Sequence, residues 1–230
     1  VSAGTLATPK SVTFNSGLGD ATQGELGNVI VNSAGVMTLG GPVKAASLIT
    51  DANGILQING GSVTTSGAQS YGGAVTVGNE TTFTGNGVSF GSTLDGEQVV
   101  RVVDSGNSLY TGSIGSITPL RHFETHAGGT VTFSGGLVQT SGPSSILVDG
   151  DVVLTTHTTF DTTLGLPNGA NITFTKTING TAANTQDLTL NAGTVGLVTV
   201  NGSVGSTNPR VPSFAAQRYR PCGTPRDLAR

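Results

Sequence analysis

The chain has 230 residues, 36 of them Gly, with charged residues at 10%, aromatic residues at 5%, one Cys and a formal net charge of -3. This composition excludes a helical bundle, whose interiors want Ala, Leu, Glu, Lys and Arg, and a charge-rich disordered tail. The single Cys222 excludes an internal disulfide and a multi-Cys metal site, and the Lys and Arg residues form no basic stripe in the body, which argues against nucleic acid as a partner.

In chain order, the first strand signal is Val12-Thr-Phe14, followed by a Gly/Asp turn. Apolar residues then alternate over short stretches at 28–31, 54–58, 74–77, 130–133, 187–190 and 197–200, each ending near Gly, Asn or Asp. Period-two alternation predicts strands with one buried face. The pairs Asn53-Gly54, Asp95-Gly96, Asp149-Gly150 and Asn179-Gly180 read as turns, because Asn-Gly and Asp-Gly accept the positive φ that tight turns require. No helix is expected before about Pro209. No apolar run reaches the roughly 18 residues of a membrane-spanning helix. Residues 1–30 lack a signal-peptide pattern, and the chain opens on Val1, so it reads as a processed chain or a fragment whose export signal lies elsewhere.

The stretches resemble one another over a long period. Val63-Thr-Thr-Ser-Gly67 returns as Val138-Gln-Thr-Ser-Gly142 and Thr81-Thr-Phe83 as Thr158-Thr-Phe160. Val88-Ser-Phe90 returns as Ile172-Thr-Phe174, and Tyr110-Thr-Gly-Ser-Ile-Gly-Ser116 as Val200-Asn-Gly-Ser-Val-Gly-Ser206, with the offset drifting from 75 to 90 residues. Loop insertions between fixed strands produce such a drift. The expected organisation is a repetitive region over 1–209, with units of roughly 12–89, 90–173 and a partial 174–209, followed by a basic, Pro-rich irregular tail over 210–230. That tail holds Arg210, Arg218, Arg220, Arg226 and Arg230 together with Cys222.

Many short strands with frequent turns allow a sandwich, a barrel or a solenoid. Scarce aromatics favour a thin core of stacked Val, Leu, Ile, Thr and Ala, and drifting unit lengths favour coils whose loops project sideways. The expected fold is therefore all-β, a parallel β-helix (β-solenoid), with tandem small β-sandwich domains as the alternative.

The phrase Ser66-Gly-Ala-Gln-Ser-Tyr-Gly-Gly-Ala-Val-Thr-Val77, followed by Glu80-Thr-Thr-Phe-Thr84 and Val88-Ser-Phe90, resembles a strand repeat of giant bacterial surface proteins. Gly112-Ser-Ile-Gly-Ser-Ile-Thr-Pro-Leu120, echoed by Gly202-Ser-Val-Gly-Ser-Thr-Asn-Pro209, belongs to the same type. Over about residues 12–209 the chain is similar to the β-strand-repeat passenger regions of filamentous-haemagglutinin-type and autotransporter adhesins. The resemblance implies a right-handed parallel β-helix, export to the bacterial cell surface, and a stalk or adhesive role. Two parts of complete family members are missing: an Asn-Pro-Asn-Gly type secretion motif and a C-terminal membrane barrel.

One constellation carries possible metal chemistry. His122, Glu124 and His126 stand at alternate positions and share a face if the segment is a strand. Same-face residues on a flat strand converge poorly on one ion, so the plain reading is a polar, solvent-facing strand. Polysaccharide cleavage on a β-helix needs clustered carboxylates, whereas the acids here are scattered; the nearest pair, Asp149-Gly-Asp151, reads first as a turn. Neither a phosphate loop nor a nucleophile elbow is present. The functional expectation is a non-enzymatic stiff stalk, without cofactor, that makes weak multivalent contacts with cell-surface or matrix carbohydrate or protein. Self-association through solenoid ends accompanies it. The alternatives are a remnant of a carbohydrate-active β-helix enzyme and a self-assembling extracellular filament or surface-layer subunit.

Overall fold

The computed structural model describes residues 2–3, 10–20, 24–141, 144–205 and 214–217. Among them there is no helix, and every strand ladder is parallel, so the chain is a β-solenoid of about seven turns. Antiparallel sandwich sheets, the alternative architecture, do not occur among these residues.

Each coil contributes to three faces in a fixed order. The first face stacks the opening half of Val43–Thr50, then Ser62–Thr65, Thr81–Gly85, Val99–Asp104, the opening halves of His122–Phe133 and Ile146–Leu154, Ile172–Phe174 and Val198–Val200. The second stacks Leu26–Ser33, the closing half of Val43–Thr50, Gln69–Tyr71, Val88–Phe90, Ser108–Tyr110, the closing halves of the same two long strands, and Ile178–Gly180. The third runs Val12–Phe14, Val36–Leu39, Ile55–Ile58, Ala74–Val77 and Leu94–Asp95, then a bridge at Ile114, then Leu137–Gln139, Thr158–Asp161 and Leu188–Asn191.

The repeating unit is this coil. Ile55 pairs with Ala74, 19 residues on, while Thr158 pairs with Leu188, 30 residues on, because the corner loops vary in length. The longer recurrence in the sequence joins strands of different faces. Val63 lies on the first face and Val138 on the third; Phe90 lies on the second and Phe174 on the first. Any apolar-polar-apolar triplet suits any face, so resemblance alone does not set the register.

Alternation turns every second residue of the first-face strands inward: Val63, Phe83, Val100, Val102, Phe123, Ile146, Val148, Ile172 and Phe174 are fully buried. The core is not limited to small aliphatic side chains. Tyr71, Phe90, Tyr110 and Phe133 occupy successive coils of the second face with ring centroids 5.0, 5.5 and 5.2 Å apart, and Phe83, Phe123 and Phe160 meet this column edge-on. Parallel stacking turns a handful of aromatics into one continuous ladder, each contact of which adds about 0.5–1.5 kcal/mol beyond burial.

Two glycine features show how the corners close. A Cβ on Gly60 would stand 2.0 Å from the Gly41 carbonyl oxygen, so successive coils meet backbone to backbone there. Gly96 has φ of 130°, the one left-handed glycine among the four expected turn pairs. The other three serve differently. Gly54 packs against the Ser33 carbonyl, Gly180 ends a strand, and Asp149-Gly-Asp151 lies inside Ile146–Leu154, where the chain bends from the first face to the second.

Phe214–Gln217 pairs in parallel with Leu188–Asn191 and adds a rung within the segment expected to be an irregular tail. Its Phe-Ala-Ala-Gln sequence is the most apolar stretch of that segment. Arg210, Arg218, Arg220, Arg226, Arg230 and Cys222 lie outside the described residues, as do Gly142 and Ser206 to Pro209 of the quoted motifs. Among the described residues no helix is long and apolar enough to cross a membrane.

Candidate functional site

His122–Phe133 follows the strand rule: Phe123, Thr125 and Ala127 point inward and are buried, leaving His122, Glu124 and His126 outward on the first face. The three expected residues are thus brought to one surface. They do not converge on a point. Glu124 lies between the two imidazoles, with Oε2 3.4 Å from His122 Nε2 and Oε1 2.5 Å from His126 Nε2. Among the described residues no group of three His, Cys, Asp or Glu side chains is arranged to hold a metal ion.

Neighbouring coils complete the cluster with residues the sequence reading did not connect to it. Arg101, one coil before Glu124, donates through Nε to Glu124 Oε2 at 3.2 Å and through Nη1 to Glu80 of the coil before that. On the other side, His126 Nδ1 lies 3.1 Å from Asp149 Oδ2, and Thr175 of the following coil donates to Asp149 Oδ1. Ser145 Oγ stands 3.2 Å from His122 Nδ1. The outcome is one polar ladder, Glu80–Arg101–Glu124–His126–Asp149–Thr175, that crosses five coils. Its signal was present in the spacings, since Arg101 to Glu124 and His126 to Asp149 are each 23 residues, the local coil length.

The electrostatics follow from the pairing. Partial burial raises the Glu124 carboxyl, but hydrogen bonds from His126 and His122 and their charges outweigh it and hold the pKa below the ordinary value. Partial burial lowers the His126 imidazole, and the hydrogen bonds to Glu124 and Asp149 more than reverse that, leaving its pKa raised. The Thr175 hydroxyl, then His126, depress Asp149; the Glu80 hydrogen bond comes first in raising Arg101. His126 faces a carboxylate at each ring nitrogen. A neutral imidazole donates from only one nitrogen, so both contacts are satisfied together only by the cation.

Asp151, beyond the Gly150 bend, accepts from Thr177 Oγ1 at 2.6 Å and Thr177 N at 3.3 Å, which lower its pKa. Asp149 and Asp151 therefore each bind the next coil across the bend instead of facing one another as an acid and a base. Two buried polar side chains, Asp104 and Gln69, are engaged in hydrogen bonds within the fold. Asp104, 3% exposed, accepts from Gly87 N, Val88 N, Gly106 N and Ser108 Oγ. Gln69, fully buried, donates to Val63 O and Thr84 O and accepts from Tyr71 OH.

These features define a class: a parallel β-solenoid that carries, on one outward face, a ladder of charged side chains paired from coil to coil. Compared with known proteins, the chain matches no family model, no curated protein and no solved structure.

Proposed function

We propose that the chain is a non-enzymatic, structural and adhesive segment of a secreted bacterial surface protein: a stiff repetitive stalk making weak, repeated contacts with carbohydrate or protein of a cell surface or matrix. The observation that carries this reading is the pairing of outward charge between coils. Glu80, Arg101, Glu124, His126 and Asp149 hold successive coils to one another, and their side chains do not converge on a common reacting point. An extended, repetitive surface gains strength from multiplicity, because each further contact is intramolecular once the first has formed.

The test is attachment of beads carrying the chain at graded density to intact cells and matrix preparations, with polysaccharide turnover followed in parallel. The expected result is saturable attachment that rises steeply with density, without turnover. Turnover that disappears in Asp149→Ala or Asp151→Ala would overturn the reading in favour of an enzyme.

A further inference from the structure

The corner between the first and second faces forms a groove of about 420 Å³ that runs along the solenoid axis over four coils. One wall is a single outward column, Thr84, Val103 and His126, in direct register from coil to coil. The other is formed where the chain turns away, by the exposed residues Ser66, Ser105 and Gly128. The Asp104 carboxylate between them is turned inward and engaged by four donors, so it places no free charge in the groove. Val103, 42% exposed, gives the wall an apolar centre flanked by a hydroxyl and an imidazole.

We propose that this groove binds a linear, uncharged oligosaccharide lying along the solenoid axis; the inference rests on the adhesive reading and names its ligand class and site. Three observations select that ligand. Coils repeat at about 4.8 Å, close to the length of one pyranose unit, so a sugar chain stays in step with the coils. The walls offer the hydroxyls of Ser66, Thr84 and Ser105 for sugar hydroxyls, and the aliphatic surface of Val103 for the C–H face of a ring. An acidic polymer finds no Lys or Arg there, and His126, the one group able to carry positive charge, is already held by Glu124 and Asp149.

An extended peptide is disfavoured because the corner's backbone is already paired. Ser66 N donates to Ala45 O, Asn86 N to Gly67 O, Ser105 N to Gly85 O and Gly129 N to Gly106 O, so no free strand edge is offered along this corner. The solenoid's own ladder, which stabilises the coils, closes the route by which peptides usually add to sheets.

The experiment is an NMR titration of the full chain with gluco- and manno-oligosaccharides of increasing length, and with an extended uncharged peptide. Expected are shifts at Ser66, Ser105, Gly128 and His126, with affinity on the order of millimolar that stops improving once the ligand spans the groove. Ser105→Trp fills the groove from an exposed position and should weaken binding at least about tenfold, whereas Val195→Trp, on a different corner, should not. Shifts elsewhere, unchanged binding by a folded Ser105→Trp, no glycan binding, or a preference for the peptide would overturn the proposal. If bead attachment persists while the oligosaccharides do not bind, the groove assignment falls and the adhesive reading stands; if attachment also fails, the adhesive reading falls with it.

Discussion

Asp104→Ala should destabilise the middle of the solenoid by about 3–5 kcal/mol. The carboxylate accepts four hydrogen bonds: Gly87 N at 2.7 Å, Gly106 N at 2.8 Å, Val88 N at 2.7 Å and Ser108 Oγ at 3.0 Å. Three of these donors are backbone groups, two from the preceding coil and one from Asp104's own turn. Deleting the acceptor leaves the buried Val88 N–H without a partner and strips the two glycine amides as well, and each orphaned donor costs about 1–3 kcal/mol. The Ser108 hydroxyl can rotate to another acceptor, and the glycine amides lie nearer solvent, which holds the sum to the stated range. Asp104→Asn keeps one acceptor oxygen but turns an amino group toward a donor, so about half the loss is expected. Solenoids open locally, so amide hydrogen exchange is the sharper assay alongside urea unfolding. The Val88 amide should lose most of its protection in the Ala variant while amides several coils away keep theirs. A loss below about 1 kcal/mol, or an equally protected Val88 amide, would refute the argument that this carboxylate fastens the corner.

His126 should titrate above an ordinary histidine, with its midpoint falling in Asp149→Asn as read by NMR of the imidazole protons. Because its folded pKa is the raised one, its stabilisation is complete below the unfolded value near 6.5 and is lost as pH rises through the folded pKa. With solvent screening the loss is a few tenths of a kcal/mol; an unchanged midpoint in Asp149→Asn would remove the clamp. Phe90→Ala, which removes a ring stacked at 5.0 Å on Tyr71 and 5.5 Å on Tyr110, should cost about 3–5 kcal/mol by thermal or urea unfolding, and a cost under 1 kcal/mol would mean that the aromatic ladder is dispensable.

The strand class was legible because alternation is local: Ile55–Ile58, Ala74–Val77 and Leu188–Asn191, which fall on stretches read as alternating, each bury alternate residues. The coil length was not, because all three faces use the same kind of triplet and the corners absorb different numbers of residues. A match such as Thr81-Thr-Phe83 with Thr158-Thr-Phe160 reflects shared strand chemistry and says nothing of which face either occupies. The same gap hid most of the polar ladder. His122, Glu124 and His126 were visible as one face of one strand, but Arg101 and Asp149 join them only when the 23-residue step is known. Asp149-Gly-Asp151 misled for a related reason: Asp-Gly permits a turn without requiring one, and here Gly150 lets an unbroken strand bend.

The low charge content follows from the same geometry. In a parallel, in-register stack the outward residue of one coil sits directly over that of the next, about 4.8 Å away. A charge repeated from coil to coil would meet its own kind at a separation where repulsion approaches 1 kcal/mol even in bulk water. Hydroxyls and amides carry no such penalty, and they fill rows such as Thr13–Thr38–Gln57–Thr76 on the third face and Ser62–Thr82 and Thr173–Thr199 on the first. Where charge does enter, the paired groups differ in sign: Glu25 with Lys44 at 3.0 Å, and Arg101 between Glu80 and Glu124. His126 continues the pattern between Glu124 and Asp149, so the alternation along the ladder depends on its proton. Uncharged rows are thus what parallel stacking favours, and the charged ladder stands where neighbouring coils supply the counter-charge.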